Sequence, residues 1–501
     1  MIGASLTLFL WGAGGISYGN SARSMPLKVT ANAQFYPTFG TPNDALITPD
    51  NAYVLVSVSG VDQCNGAGCA GVQVFRQSDF TNPCGGQQIL SFPTPPAPGG
   101  PVQQVDGMKF FPGQSHLSVG AAVEKQGAEF FRLASLNQPC AVDGVVNVQQ
   151  PPVSPNCDLC PPGTFNVAVT PDGHHAFVAD EYGTLPAPTP PDIDIGSGTV
   201  GIIQTHRDDM GRFSPSRTRA IPGAEYIYIP GGGAIAGVTM SHDGKYLYAT
   251  SEVVNTDGIN PQTMMPYRDP TNVANSPNGI VLCPGCPDSN GCDNESAGTK
   301  SHNGLLTVID VNKAKRGMGQ ASIVTIIASA CSPVRAVETA DGRYVFVATR
   351  GKNTLLPLPL ESGASGYQVL AFDRAMLVSD SPNNALVGYA DTHGTGPVGI
   401  ALFGPNDSLL AVANGNRYYY KPHTRPSTIS PDCRNGHLPP CVANVAIMDV
   451  SDPTTPTVQQ TVPGYSVSSF PRDVTIGPDG STLYVPNADA NVLQVITTSV
   501  K

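Results

Sequence analysis

The chain has 501 residues, a formal net charge of −11, a pI near 5.2 and no Lys/Arg-rich run. A polyanion is repelled on average, so nucleic acid is not expected as a partner. Glycine and proline number 54 and 48 while only 13% of residues are charged, a composition of short strands and turns that excludes coiled coil and long solvent-facing helices.

At the N-terminus, Leu6–Trp11 is a short apolar core, and Ser17 and Gly19 form a small-x-small pattern, with Ala22 as another cleavage end. This pattern predicts a signal peptide over 1–22 and a mature chain, 28–501, forming one domain in the secretory pathway. No later apolar stretch has the length of a membrane span, so no stable membrane insertion is expected. Twelve cysteines fit an oxidising compartment. Several lie close together in Pro/Gly-rich segments, among them Cys157–Cys160 and Cys283–Cys286. These two CxxC pairs are more than a hundred residues apart, so disulfides are favoured over zinc, and neither a metal nor a cofactor is expected. Asn294 and Asn406 lie in glycosylation sequons.

From Pro42 onward one unit repeats. PNDALITPDNAYVLVSVS, TFNVAVTPDGHHAFVADE, IAGVTMSHDGKYLYATSE, PVRAVETADGRYVFVATR, PVGIALFGPNDSLLAVAN and PRDVTIGPDGSTLYVPNA begin at Pro42, Thr164, Ile235, Pro333, Pro397 and Pro471. Val105–Glu124 is a looser copy. Each reads as a strand, a tight turn and a second strand. Asp-Gly at 172–173, 243–244, 341–342 and 479–480 is a strong hairpin signal, because glycine accepts positive φ without steric cost. A third strand follows each hairpin, starting near Gly71, Ala128, Thr199, Leu305, Tyr367, Val445 and Val492. With a fourth, more variable strand, each unit is a propeller blade. The fold expected is all-β, a seven-bladed β-propeller of four-stranded blades with long disulfide-stapled loops on one face. Lys28–Phe35 is positioned to supply the outer strand that closes the ring.

PRDVTIGPDGSTLYVPNADANVLQVI (Pro471–Ile496) and PVRAVETADGRYVFVATRGKNTLL resemble the YVTN repeat, and the resemblance extends over Pro42–Ile496. It implies the propeller superfamily that includes lactonase-like and muconate-cyclising proteins. The cysteine-rich loops and signal-like start look more like secreted fungal members, some of which are hetero-Diels–Alderases; no catalytic motif matches them. The scaffold alone does not specify an activity.

In this fold, the start of the innermost strand and the end of the second strand share one face. The connections leaving that end are uneven, with long ones over 181–198, 252–304 and 414–442. They wall one mouth of the ring, and loops this long are usually functional or disordered. The first-strand entry positions carry Asp44, Gly107, Asn166, Gly237, Arg335, Gly399 and Asp473, with Arg472 alongside. The second-strand exits include Glu124, Glu181, Glu252, Arg350 and Asn414. Glu124, Glu181 and Glu252 are the expected acid–base groups, since desolvated carboxylates titrate near working pH. Arg335, Arg350 and Arg472 are expected to polarise or orient a substrate. Asp44, Asn166, Asn414 and Asp473 would contact it, with Tyr418, Tyr419 and Met265 as adaptable loop contacts. Water-filled channels also carry polar residues, and Arg–Glu pairs also staple blades together, so a structural role stands beside the catalytic one. His174 and His175 fall on the opposite face and read as turn residues rather than metal ligands.

Two functions follow. One is an enzyme performing ring-forming or ring-opening chemistry on a small organic molecule; orientation alone serves a cycloaddition. The other is a non-catalytic secreted module binding a glycan or a protein.

Overall fold

The computed structural model describes residues 28–61, 69–92, 104–112, 117–123, 127–135, 138–149, 163–182, 197–254, 303–353, 368–415, 443–466 and 469–500, with the short strands 259–260, 265–266, 280–281 and 292–293. Blade 1 comprises Thr41–Ile47, Tyr53–Val61, Cys69–Arg76 and Leu90–Phe92. Blade 2 comprises Val105–Phe110, Ser118–Val123, Gly127–Ser135 and Gln138–Val148, so the loosest repeat is a full blade. Blades 3 and 4 share the continuous strand Tyr226–Met240. Its first part closes blade 3 after Gly163–Val169, His175–Tyr182 and Ser197–Gln204. Its second part opens blade 4, followed by Tyr246–Val254, Asn303–Asp310 and Ile323–Cys331.

Blade 5 is Pro333–Glu338, Tyr344–Thr349, Gln368–Asp373 and Leu386–Asp391. Blade 6 is Pro397–Phe403, Leu409–Asn414, Asn444–Asp449 and Thr457–Pro463. Blade 7 has Thr475–Ile476, Thr482–Asn487 and Val492–Val500, and takes its outer strand from the N-terminal side of the chain. Val29–Pro37 pairs antiparallel with Val492–Val500, from Val29 opposite Val500 to Pro37 opposite Val492. The ring is thus a seven-bladed β-propeller closed between its two ends, which removes the exposed edge an open sheet would leave.

Local chemistry explains the hairpins. Gly173, Gly244, Gly342 and Gly480 all have φ between +65° and +69°. In each turn the preceding aspartate accepts the amide two residues on: His174, Lys245, Arg343 or Ser481. Middle strands are sandwiched between neighbouring blades and are buried on both faces, as Ser118–Val123 and Leu409–Asn414 show along their whole length. Their apolar runs follow from that two-sided burial. Blade-to-blade cores include Leu306, Val345, Leu370 and Phe372 between blades 4 and 5. Polar ties reinforce them: buried Glu338 of blade 5 accepts from the His242 amide at 2.6 Å and the Tyr248 hydroxyl at 2.9 Å, both in blade 4.

The long connections lie mostly outside the described residues, but four of their pieces are placed, and two of them pair with the blades. Ile280–Val281 adds in parallel to the outer edge of blade 4, opposite Ile326 and Ile327. Cys292–Asp293 pairs with Lys352–Asn353 beside the mouth. The insertion in blade 4 therefore also clasps the rim, and does not serve only as a wall of the mouth.

Cys331, at the mouth end of blade 4, is disulfide-bonded. The bridge with both halves described, Cys84–Cys140, instead ties the outer part of blade 1 to that of blade 2. It encloses 56 residues of sequence, and closing a loop of that order restricts the unfolded chain by about 2–4 kcal/mol. The Cys84→Ser/Cys140→Ser variant is expected to lose about that much unfolding free energy in denaturant titration. An unchanged midpoint would mean that the blade 1–blade 2 core holds this rim without it.

Candidate functional site

The inner strands carry a β-bulge at one repeated place. Pairing with the second strand slips between Pro42 and Asp44, Val105 and Gly107, Thr164 and Asn166, Ile235 and Gly237, Pro333 and Arg335, and Pro397 and Gly399. Blade 7 carries the same offset between the Pro471–Asn487 bridge and Thr475 opposite Tyr484. A bulge puts two residues opposite one and re-aims their side chains. The entry residues thus stand just after the bulges, and the extra residue at each bulge is Asn43, Asp106, Phe165, Ala236, Val334, Val398 or Arg472.

Around the ring the entry residues alternate between large and glycine: Asp44, Gly107, Asn166, Gly237, Arg335, Gly399, Asp473. Each glycine accommodates a neighbour. A Cβ on Gly107 would lie 2.9 Å from Asn166 Nδ2, and one on Gly399 would lie 2.7 Å from Asp473 Oδ1. A Cβ on Gly237 would lie 2.5 Å from the Val334 carbonyl and 3.4 Å from Arg335 Nη1. The space left lets polar side chains reach the next blade. Asp44 Oδ2 accepts from the Met108 amide at 2.6 Å, and Asn166 Oδ1 accepts from the Val238 amide at 3.2 Å.

Seven is odd, so strict alternation cannot close. Two large residues must be neighbours, and they are Asp473 and Asp44, both acidic. Burial, and then the adjacent Asp473 carboxylate, push the Asp44 carboxyl up to about 8, against the amides of Met108 and Ala45 and the Arg335 charge. Asp473 is also raised, chiefly by burial, although Arg335 opposes it. The pair shares its protons as a unit. Asp473 keeps 16% of its side-chain surface exposed while the Asp44 residue is 5% exposed; of the two, Asp473 faces the channel more openly. Arg335 Nε is 3.9 Å from Asp473 Oδ2 and is buried without a hydrogen-bond partner among the described residues. The same guanidinium donates through Nη1 to the carbonyls of Ala236 and Val334.

Arg472 is a hub among the bulge residues. Its Nη1 donates to Asn43 Oδ1 at 2.7 Å and Gln104 Oε1 at 2.9 Å, and its Nη2 to Asp106 Oδ1 at 2.6 Å. Its guanidinium carbon lies 5.0 Å from the Phe165 ring centroid, and that of Arg335 lies 5.7 Å from it. One arginine of blade 7 thus touches blades 1, 2 and 3.

The expected site residues divide accordingly. Asp44, Asn166, Arg335, Arg472 and Asp473 converge on the axis. Glu252 and Arg350 meet each other instead, in an ion pair of 2.8 Å between blades 4 and 5. Asn414, expected to contact substrate, is fully buried; its Nδ2 donates to Asn444 Oδ1 at 2.8 Å and to the Thr392 carbonyl at 3.3 Å. It packs blade 6 against the turn before it. Glu124, Tyr418 and Tyr419 lie outside the described residues, as do the side chains of Glu181 and Met265, whose backbones are in strands. Sequence reading missed Asn43, Gln104 and Asp106; the signal available was that Asp106 precedes Gly107 as Arg472 precedes Asp473. It also missed Asp180, whose carboxyl burial pushes well above the usual range although the Thr199 hydroxyl donates to it.

Among the described residues, no group of three or more His, Cys, Asp or Glu side chains is placed to hold a metal ion, and no helix is long and apolar enough to cross a membrane. No family model matches the chain, and no curated protein matches it. Among solved structures, hydrazine synthase of Kuenenia stuttgartiensis is similar over 92% of this chain and 97% of that one, at 15% identity and a TM-score of 0.50. A chain of the mitotic checkpoint complex is similar over 99% of each chain, at 10% identity and a TM-score of 0.50. Likeness at such identities is likeness of fold. The class is the seven-bladed β-propeller, and function has to be argued from the site.

Proposed function

We propose that this protein is a secretory-pathway enzyme acting on a small organic molecule at the loop-bearing mouth, by ring-opening or ring-forming chemistry of the lactonase or cyclase type. The observation that carries the reading is the Asp44–Asp473 pair, two neighbouring carboxyl groups whose burial raises their proton affinity, beside an Arg335 Nε that has no hydrogen-bond partner among the described residues. General acid–base groups work best when their proton affinity is near the working pH. Arg335 is suited to a carbonyl oxygen on which charge develops. In lactone opening, water adds to the carbonyl carbon and gives its proton to Asp473. The ring C–O bond breaks, and the departing alkoxide takes a proton back from the pair. Asp44 acts as a positioning and proton-storing neighbour. The Cys84–Cys140 bridge supports an oxidising compartment.

The second reading, a binding module, is favoured by the pairing of Glu252 with Arg350 and of Asp106 with Arg472. Groups already committed to one another have a structural role and are not free for chemistry.

The test is native mass spectrometry of the purified full chain with organic extraction of co-purifying molecules, followed by turnover assays on lactones of the extracted class. Asp473→Asn is expected to lower kcat by about 10²–10⁴. It would also remove the acidic limb of the pH–rate profile, which reports ionisation of the base and which a merely structural residue would leave in place. An empty protein that turns over no lactone or cyclisation substrate and captures glycans or proteins from culture fluid would overturn the enzyme reading.

A further inference from the structure

The turn face, opposite the axial mouth, carries a cavity of about 560 Å³ between blades 3 and 4. That volume falls in the range of about 300–1,000 Å³ typical of small-molecule sites. All ten residues lining it are polar or charged: Asp172, His174, His175, Gln204, Thr205, His206, Ser216, Arg217, Arg219 and Lys315. We infer that this cavity is a binding site for a hydrophilic oxyanion, a phosphate or sulfate ester on a carrier the size of a sugar.

The sign of the charge comes first. Three fixed cations line the cavity against one carboxylate, on a chain whose net charge is −11. The carboxylate is already committed: Asp172 Oδ2 accepts from Lys315 Nζ at 2.6 Å, while Oδ1 accepts from the His174 amide and the Thr170 hydroxyl. Burial opposes ionisation of Asp172, but these donors hold its proton affinity well below the usual range. It therefore neutralises Lys315 and leaves Arg217 and Arg219 as the lining cations that no carboxylate among the described residues meets.

The geometry comes second. His175 lies opposite Gln204, and Gln204 lies opposite Arg219 of the short added strand Arg219–Ala220, across three adjacent strands at this end of blade 3. Residues directly opposite one another project to the same side of a sheet, so a row of imidazole, amide and guanidinium crosses the floor. Arg219 makes no ion pair with a carboxylate among the described residues. Arg217 Nη1 is 2.7 Å from His206 Nε2. A guanidinium only donates, so this ring nitrogen is the acceptor and the contact aims Arg217, whose other donors meet no acceptor among the described residues. Planar guanidinium groups bind tetrahedral oxyanions through paired N–H donors.

The lining also selects the carrier. With no apolar wall, a fatty acid or terpenoid acid has nothing against which to bury its chain. Gln204 and Ser216 offer hydrogen-bonding groups suited to hydroxyls. A long polyanion would meet the net negative charge of the rest of the surface.

The test is calorimetric titration of the full chain with glucose 6-phosphate, glucose 6-sulfate, inorganic phosphate and glucose, at one low ionic strength. Saturable binding of at least one sugar ester is expected, tighter than inorganic phosphate, with none for glucose; the phosphate and sulfate arms decide which ester is preferred. Arg217→Gln and Arg219→Gln are each expected to weaken binding about tenfold or more, as loss of a charge-assisted contact does. Both side chains are exposed, so the fold is expected to survive, and an unchanged melting curve checks this. Asp172→Asn should act in the opposite direction. It keeps an acceptor for the turn amide, releases Lys315 and tightens binding severalfold. No saturable binding of either ester, equal binding of glucose, or an Asp172→Asn variant that binds more weakly would overturn the assignment.

Discussion

Replacing Arg472 with methionine is expected to lower the unfolding free energy by about 3–5 kcal/mol, the largest stability loss of any single substitution on the axis. The reason is what stays behind. Asp106 has no exposed side-chain surface and its charge is met by Arg472 at 2.6 Å. Methionine fills much of the volume over Phe165 but leaves that carboxylate buried without its cation. Asn43 and Gln104 lose the donor that both their side-chain oxygens share. The joint between the last blade and the first three is weakened where the chain closes on itself. A double variant, Arg472→Met with Asp106→Leu, is expected to recover most of the loss, because removing both charges also removes the burial penalty. Denaturant midpoints of the four proteins in this cycle give the coupling directly. If the single variant unfolds within about 1 kcal/mol of the wild type and turnover collapses, Arg472 is a substrate-facing residue and not a closure.

That hub shows what the sequence made legible and what it hid. The hairpins were legible because Asp-Gly turn chemistry is local, and the entry positions because the repeat fixes their register. Closure by the N-terminal strand was legible too, since an odd apolar segment before the first repeat has one edge to pair with. The bulges were not, because an extra residue opposite one partner leaves no compositional mark. Without them Asn43, Asp106 and Phe165 look like unremarkable neighbours of the entry positions. Asn414 stands at the second-strand exit, where the repeat puts it, but Asn444 on the next strand takes its side chain inward, a contact the repeat does not show. The charge pairs were only half legible. Glu252 and Arg350 were both recognised, but their contact joins residues 98 apart in sequence, in different blades. The cationic cavity draws on a turn, a strand end and the helix Val311–Lys315, which no reading of one repeat brings together.

The alternation of the entry residues could be read from the sequence, but its consequence comes only from closing the ring. Putting Asp473 beside Asp44 makes stability depend on pH in an unusual direction. The folded-state proton affinity of Asp44, near 8, is far above the value of about 3.9 for a carboxyl in an unfolded chain. Between those limits the folded state binds the extra proton, so the contribution is fully present below about pH 4 and is lost as pH rises through about 8. Its size is on the order of 5 kcal/mol at most, at about 1.4 kcal/mol per pH unit. The expected result is a denaturation midpoint that falls steadily from pH 5 to pH 8, where a protein dominated by paired carboxylates would be flat or rising. Asp473→Asn removes the neighbouring charge, lowers the proton affinity of Asp44 and flattens that fall, with a gain in stability at pH 8. Asp44→Asn behaves differently. Both oxygens of Asp44 accept amide protons, from Ala45 and from Met108, so the amide nitrogen of asparagine must face a donor, at a cost of about 1–3 kcal/mol. That variant is therefore less stable than the wild type at pH 5 and overtakes it as the wild type loses its proton, so the two curves cross. Parallel curves across this range would place the proton elsewhere, and the acid–base role of the pair would fall with it.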